Sequence, residues 1–283
     1  MSRMIDTLDE IADGYSVILS DVWGVLHNGV SAFPDAVAAL ARQREHGRTV
    51  ILITNAPRPH PSVIAQLQSL GVADESWDRV ITSGDVTRKL IAEGPRKIFH
   101  LGPDRDLIIY DGLDVELVDY PEAGAIVCTG PFNDDVETPE DYAELLPLLR
   151  GRNLPFICAN PDIVVERGDR LIWCAGALAR DYARLGGRTL IAGKPHRPIY
   201  EAALSAAAEV TGQEIASEQI LAIGDGVLTD VKGAVDNGFD LLYVTAGIHA
   251  HEYAGESGPD DAKLAAFLGS YGYQPVASIP RLK

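Results

Sequence analysis

Along residues 1–85, short apolar runs alternate with longer segments of helical period. SVILS (16–20), TVILITN (49–55) and RVITS (79–83) are nearly continuous in hydrophobic residues and predict buried strands. Between and after them, FPDAVAALARQREHG (33–47), PSVIAQLQSLG (61–71) and DVTRKLIAEG (85–94) predict helices. The first of these opens with an early Pro34, and each ends on a glycine, as helices commonly do. Strands buried on both faces and joined by helices form a parallel sheet with helices on each side.

The middle of the chain reads differently. KIFHLG, VELVD, AIVCTG, PFICAN, DIVVE and RLIWC are short and closely spaced, with one clear helix at TPEDYAELLPLLRG (138–151). This predicts an inserted α+β domain over 86–188. The first pattern then returns with YEAALSAAAEVTG, QILAIGD, LTDVKGAVDNG, DLLYVT and DAKLAAFLGSYG, alternately helix and strand. PVASIP near the end predicts a last edge strand, and HEYAGESGPDDAK (251–263) a solvated loop. The fold class expected is therefore α/β: a doubly wound, mostly parallel sheet built from residues 1–85 and 189–283, carrying the 86–188 insertion.

Charge narrows the function classes. Lys and Arg total 24 against 41 Asp and Glu, a net charge of −17. Such a surface repels nucleic acid and anionic lipid, so neither is expected as a partner. It repels an anionic substrate as well, so a phosphate site here needs local compensation by a metal, a lysine or backbone N–H groups. The three cysteines, Cys128, Cys158 and Cys174, form no CxxC pair and predict buried reduced thiols. The N-terminal stretch lacks an apolar signal core, and no run approaches the ~18 apolar residues of a membrane helix. A cytoplasmic protein is the expectation.

In open α/β sheets, ligands bind beyond the carboxyl ends of the strands. The residues placed there are Asp21, Thr54 and Asn55, Ser83 to Asp85, Gly224 and Asp225, and Thr245, with Gly193-Lys194-Pro195 ahead of a helix. Asp230 follows Asp225 by five residues. Singly, each has an ordinary structural reading: an Asp after a strand caps the next helix, and a loop lysine is solvated. Together they outline a phosphoryl-transfer site. Three converging carboxylates repel one another, and a divalent cation with hard oxygen ligands, Mg²⁺ by preference, removes that repulsion. Lys194 adds positive charge toward phosphate, while Thr54 and the Asn55 backbone add donors.

The ordered set DVWGVLHNG, ILITN, AGKP and IGDGVLTD resembles the four signature motifs of the haloacid dehalogenase superfamily. The long insertion between the second and third resembles a C2-type cap. CANPDIVV (158–165), GALARDYARLGG and GKPHRPIYEAAL resemble the class IIA subfamily, which includes NagD-like and p-nitrophenyl-phosphatase-like enzymes. The resemblance covers nearly the whole chain. It implies that Asp21 is the nucleophile forming an aspartyl-phosphate, and that Thr54 and Asn55 bind phosphate. It implies that Lys194 steadies nucleophile and phosphate, and that Asp225 and Asp230 hold Mg²⁺ with Asp21 and the Trp23 backbone carbonyl. Asn160 and Asp162, in the ANPD stretch of the cap, would line the substrate site. The implied partner is a small phosphorylated metabolite: a sugar phosphate, a nucleotide or another monoester. A cap-mediated homodimer would fit the same resemblance.

Trp23 departs from the pattern. Phosphatases of the superfamily usually carry Asp two residues after the nucleophile, where it protonates the leaving oxygen and then activates water. An indole N–H only donates and cannot exchange that proton. Three readings follow: a phosphatase of reduced activity or restricted to good leaving groups; one in which His27, His196 or His249 supplies the proton; or a weak or inactive regulatory protein that binds a phosphorylated ligand. Dehalogenases resemble the chain in placing an aromatic residue at this position, but they need no metal, and the Asp225–Asp230 pair makes sense with one.

Overall fold

The computed structural model describes residues 3–255 and 258–283. It divides into two compact units. The first runs from the start of the described residues to Thr54 and includes Ile64–Ile81 and Tyr200–Lys283; the second comprises Asn55–Val63 and Thr82–Ile199.

Strands β1 (Arg3–Met4), β2 (Val17–Ser20), β3 (Thr49–Thr54) and β4 (Arg79–Thr82) come first in the chain. Then come β5 (Lys97–Leu101), β6 (Glu116–Leu117), β7 (Ala125–Cys128), β8 (Phe156–Cys158), β9 (Val164–Arg167), β10 (Arg170–Trp173) and β11 (Thr189–Ile191). The last are β12 (Ile220–Gly224), β13 (Asp240–Val244), a short pair β14 (Ala254–Gly255) and β15 (Gly258–Pro259), and β16 (Ala277–Ile279).

The sheet of the first unit has the order β1-β16-β13-β12-β2-β3-β4. The pairings β1–β16, β16–β13, β13–β12, β12–β2 and β2–β3 are all parallel. Its central strands are buried along their whole length, as the continuous apolar runs require. The chain winds outward from β2 through β3 to β4, and then in the opposite sense from β12 through β13 to β16. The winding therefore reverses between β2 and β12. Helix Pro34–Glu45 starts on its proline and stops where Gly47 takes a positive φ of 83°.

β16 is not the edge strand the sequence suggested: it lies between β13 and β1. The true edge, Arg3–Met4, is two exposed residues with no hydrophobic pattern to announce it. The stretch 251–263, expected as a solvated loop, begins within the 3₁₀ turn Ala250–Tyr253, whose Tyr253 is 1% exposed, and includes the β14–β15 pair; Glu256 and Ser257 lie outside the described residues.

The second unit holds a parallel five-stranded sheet, order β11-β8-β7-β5-β6, and an antiparallel hairpin, β9–β10. Side chains alternate between its faces. Ile126 and Cys128 pack with Phe156, Leu178 and Tyr182, while Ala125 and Val127 pack with Ile91, Ile98 and Ile109. β11 was missed in the sequence because three residues give too short a run. All three cysteines are buried and form no disulfide. Burial pushes the Cys158 thiol up to about 12 and the other two upward as well, which makes them poor nucleophiles. Among the described residues, no helix is long and apolar enough to cross a membrane.

Candidate active site

Asp21 follows β2 and Asp225 follows β12, and these two strands are neighbours in parallel register, with Ser20 opposite Ile223. The Asp21 N–H extends the ladder by donating to the Ile223 carbonyl at 2.8 Å. Both aspartates therefore leave the carboxyl edge of the sheet side by side where the winding reverses, the place where open α/β sheets bind ligands. Asp230 joins them from the turn Val227–Val231, which follows β12 at once. Oxygens of all three carboxylates lie within 4.8 Å of one another, and the residues are 5–6% exposed.

Backbone groups fix this cluster. The Ile248 N–H donates to Asp225 Oδ2 at 2.9 Å, and the Gly226 N–H to Asp230 Oδ2 at 3.0 Å. Glycines make room for it. A Cβ on Gly24 would sit 2.4 Å from Asp225 Oδ2, and one on Gly247 1.9 Å from the same atom. Gly24 also takes a φ of +87°, which a side chain would strain. Sequence reasoning missed Gly24, Gly247 and Ile248. The signal for Gly24 was adjacency to Trp23 in the motif; nothing in the sequence marks the other two, which reach Asp225 only through the fold.

Trp23 occupies the turn after Asp21, partly exposed. Its indole lies flush against Gly29, where a Cβ would come within 2.4 Å of Cζ2, and meets the His27 ring edge-on at 4.9 Å. His27 is 2% exposed, and its Nδ1 accepts the Gly29 N–H at 3.0 Å. Burial pushes its pKa down to about 4, so the ring is neutral near pH 7 and a poor proton source. His249 lies beside the Phe267 ring at 5.2 Å; burial lowers its proton affinity and the Asp230 charge pulls the other way. His196 is exposed.

The second unit gathers other residues singled out in the sequence. Asn55 is 3% exposed; its Nδ2 donates to Asp162 Oδ1 at 2.8 Å and to the Lys194 carbonyl at 3.3 Å, while its Oδ1 accepts the Lys194 N–H at 2.7 Å. Asn160 Oδ1 in turn accepts the Asp162 N–H at 3.1 Å. Lys194 is 3% exposed. In the first unit, Thr54, the last residue of β3, is buried at 6%. Gly193 is again a spacing requirement: a Cβ there would lie 2.6 Å from Asn55 Oδ1. Asp85 is instead spent on local structure, since its carboxylate bonds the Thr82 hydroxyl and the His60 N–H.

Three buried carboxylates with oxygens this close repel strongly unless a cation sits among them. The donor set is hard oxygen only, with no sulfur or imidazole in the group, and that suits Mg²⁺ or a similar divalent ion. The cluster thus fits the metal site implied by the sequence.

Comparison with known proteins points to one family. Residues 18–116 match the family model of haloacid dehalogenase-like hydrolases, and 191–266 match a second, HAD-hydrolase-like model. A crystal structure of a haloacid dehalogenase-like family hydrolase from Brucella suis 1330 shares 61% identity and superimposes with a TM-score of 0.90, covering 99% of this chain and 100% of that one. The ribonucleotide monophosphatase NagD of Escherichia coli K12 is 24% identical over 93% of this chain and 97% of its own length. The 5'-nucleotidase YutF of Bacillus subtilis is 24% identical over 84% and 90%.

Proposed function

This chain belongs to the haloacid dehalogenase-like hydrolases, and from that premise we propose that it hydrolyses a small phosphate monoester in a Mg²⁺-dependent reaction with Asp21 as nucleophile. The observation that carries the reading is the convergence of Asp21, Asp225 and Asp230 at the reversal point of the first unit's sheet. Both curated relatives above are named as nucleotide phosphatases.

In this reading one Asp21 oxygen attacks phosphorus, the phosphorus–oxygen ester bond breaks, and the leaving alkoxide takes a proton. Water then attacks the aspartyl-phosphate, releasing inorganic phosphate and restoring the carboxylate. Asp225 and Asp230, with Asp21 and the Trp23 carbonyl, would hold the cation. When bound, it neutralises charge on the phosphate oxygens. The Ile248 and Gly226 N–H groups keep the two acidic ligands aimed. Motif order assigns Thr54, Asn55 and Lys194 to the phosphate oxygens, and the Asn55–Asp162–Lys194 contacts give that assignment a preformed frame. The 86–188 insertion, with Asn160 and Asp162, selects the leaving group.

Position 23 supplies no proton. The reaction therefore favours leaving groups stable as anions, such as nitrophenolate, over alkoxides. The same feature favours a second reading, a protein that binds a phosphorylated ligand and scarcely turns it over. Phosphate release from a panel of monoesters, in Mg²⁺ and in EDTA, separates the two. Metal-dependent turnover supports the hydrolase, and its absence with retained ligand binding supports the second.

A further inference from the structure

The second unit has a reversal point of its own. From β5 the chain winds outward to β6, and from β7 it winds the other way through β8 to β11, so the crevice lies between the ends of β5 and β7. Arginines from three segments meet there. Arg105 follows β5 and bonds both oxygens of Asp134, which follows β7. Arg167 of β9 donates to the same carboxylate at 2.8 Å and to Asp135 at 3.3 Å. Arg58 lies 3.8 Å from Asp106, a carboxylate 4% exposed that directly follows Arg105 in the chain. Arg105 and Arg167 each commit two of their five N–H donors in these bonds.

The floor between the strand ends holds further buried polar atoms. Thr129, first after β7, is 4% exposed, and its hydroxyl makes no hydrogen bond of good geometry, although it lies beside the Asp106 carboxyl. Nε2 of His100 on β5 is buried as well; the ring's Nδ1 pairs with the Tyr110 hydroxyl at 2.8 Å, and the Gly102 and Pro103 backbone lies beside it. Asn55 and Arg58 are three residues apart, so their Cα atoms are at most ~11 Å from each other. The 55–58 turn is pinned by the Gly84 N–H donating to the Ala56 carbonyl at 3.0 Å, with Gly84 so close that a Cβ would meet the Arg58 backbone at 2.5 Å.

We propose that this crevice is a second anion subsite, and that the substrate is a phosphate monoester whose alcohol portion carries another acidic group, a carboxylate or a second phosphate. The proposal rests on the reading of Asn55 and Lys194 as phosphate-binding residues. In a chain of net charge −17, guanidinium groups clustered at a sheet's ligand-binding edge supply the bidentate, planar recognition that carboxylate and phosphate require. A nucleoside or neutral sugar as leaving group would make no use of the remaining Arg105 and Arg167 donors.

The test is binding, so it needs no turnover. The Asp21→Asn protein is titrated calorimetrically in Mg²⁺ with glycerol 3-phosphate, with 3-phosphoglycerate, which differs by one carboxylate, and with glycerol bisphosphate. At least tenfold tighter binding of one acidic ligand over glycerol 3-phosphate is expected, and which of the two binds better identifies the second group. Introducing Arg58→Gln or Arg105→Gln into the same protein should bring the affinity ratio toward one. Equal affinities, no binding of any of the three, or a ratio unchanged by both substitutions would overturn the proposal. Should neither variant fold, the ratio in the Asp21→Asn protein still decides. Failure of the phosphatase reading shows separately, as absence of wild-type turnover of p-nitrophenyl phosphate.

Discussion

Asp225 is held by a residue far along the chain: the Ile248 N–H donates to its Oδ2 at 2.9 Å, and Gly247 packs so closely that a Cβ would fall 1.9 Å from that oxygen. The carboxylate is therefore aimed by the loop after β13 as much as by its own strand. Gly247→Ala should displace it without unfolding the sheet. Because a shift of an ångström at a reacting centre can lower rates by about 10²-fold, a loss of that order in kcat/KM, with an unchanged circular dichroism spectrum, is the expected result.

Metal binding should show in stability. A ligand at a hundredfold excess over its Kd stabilises the folded form by about 2.7 kcal/mol. Mg²⁺ should raise the melting temperature of the wild-type protein by several degrees. Asp225→Asn removes one anionic ligand from the cluster and should abolish most of that rise, as differential scanning calorimetry with and without EDTA would show.

Trp23→Asp restores an acid–base group where the indole now packs on Gly29 and His27. General acid–base help is worth roughly 10²–10⁴-fold. Turnover of alkyl phosphates should rise by about 10²-fold in a folded variant, and that of p-nitrophenyl phosphate much less, since nitrophenolate needs no proton to leave. Comparing kcat on the two substrates checks both parts.

His27 makes stability depend on pH. Its folded pKa of about 4 lies below the unfolded value near 6.5. Between those values the unfolded chain binds a proton that the folded one refuses, so stability falls as pH drops through the window. The full effect is on the order of 3 kcal/mol. His27→Asn keeps an acceptor for the Gly29 N–H and removes the titration. Urea denaturation at pH 7 and pH 4.5 should give a smaller difference for the variant than for the wild type.

Much of this was legible in the sequence because a parallel sheet writes itself plainly. Apolar runs mark β2 and β12, and the acid ending each run marks the ligand edge. What joins Asn55 to Asp162, 107 residues on, is a side-chain hydrogen bond between distant segments, and no local pattern encodes that distance. β1 and β11, of two and three residues, are too short for periodicity to register, and the loss of β1 is why β16 read as an edge. The arginine crevice was invisible for a related reason. Arg58, Arg105 and Arg167 look like scattered surface charges until the fold of the second unit brings them together.

Whether Asp21 is the nucleophile of a metal-dependent phosphatase is decided by one comparison. Nitrophenolate release from p-nitrophenyl phosphate is followed for wild type and Asp21→Asn, each in Mg²⁺ and in EDTA. With Asp21 as nucleophile, turnover is expected of the wild type in Mg²⁺ alone. Turnover that survives in Asp21→Asn or in EDTA would contradict it.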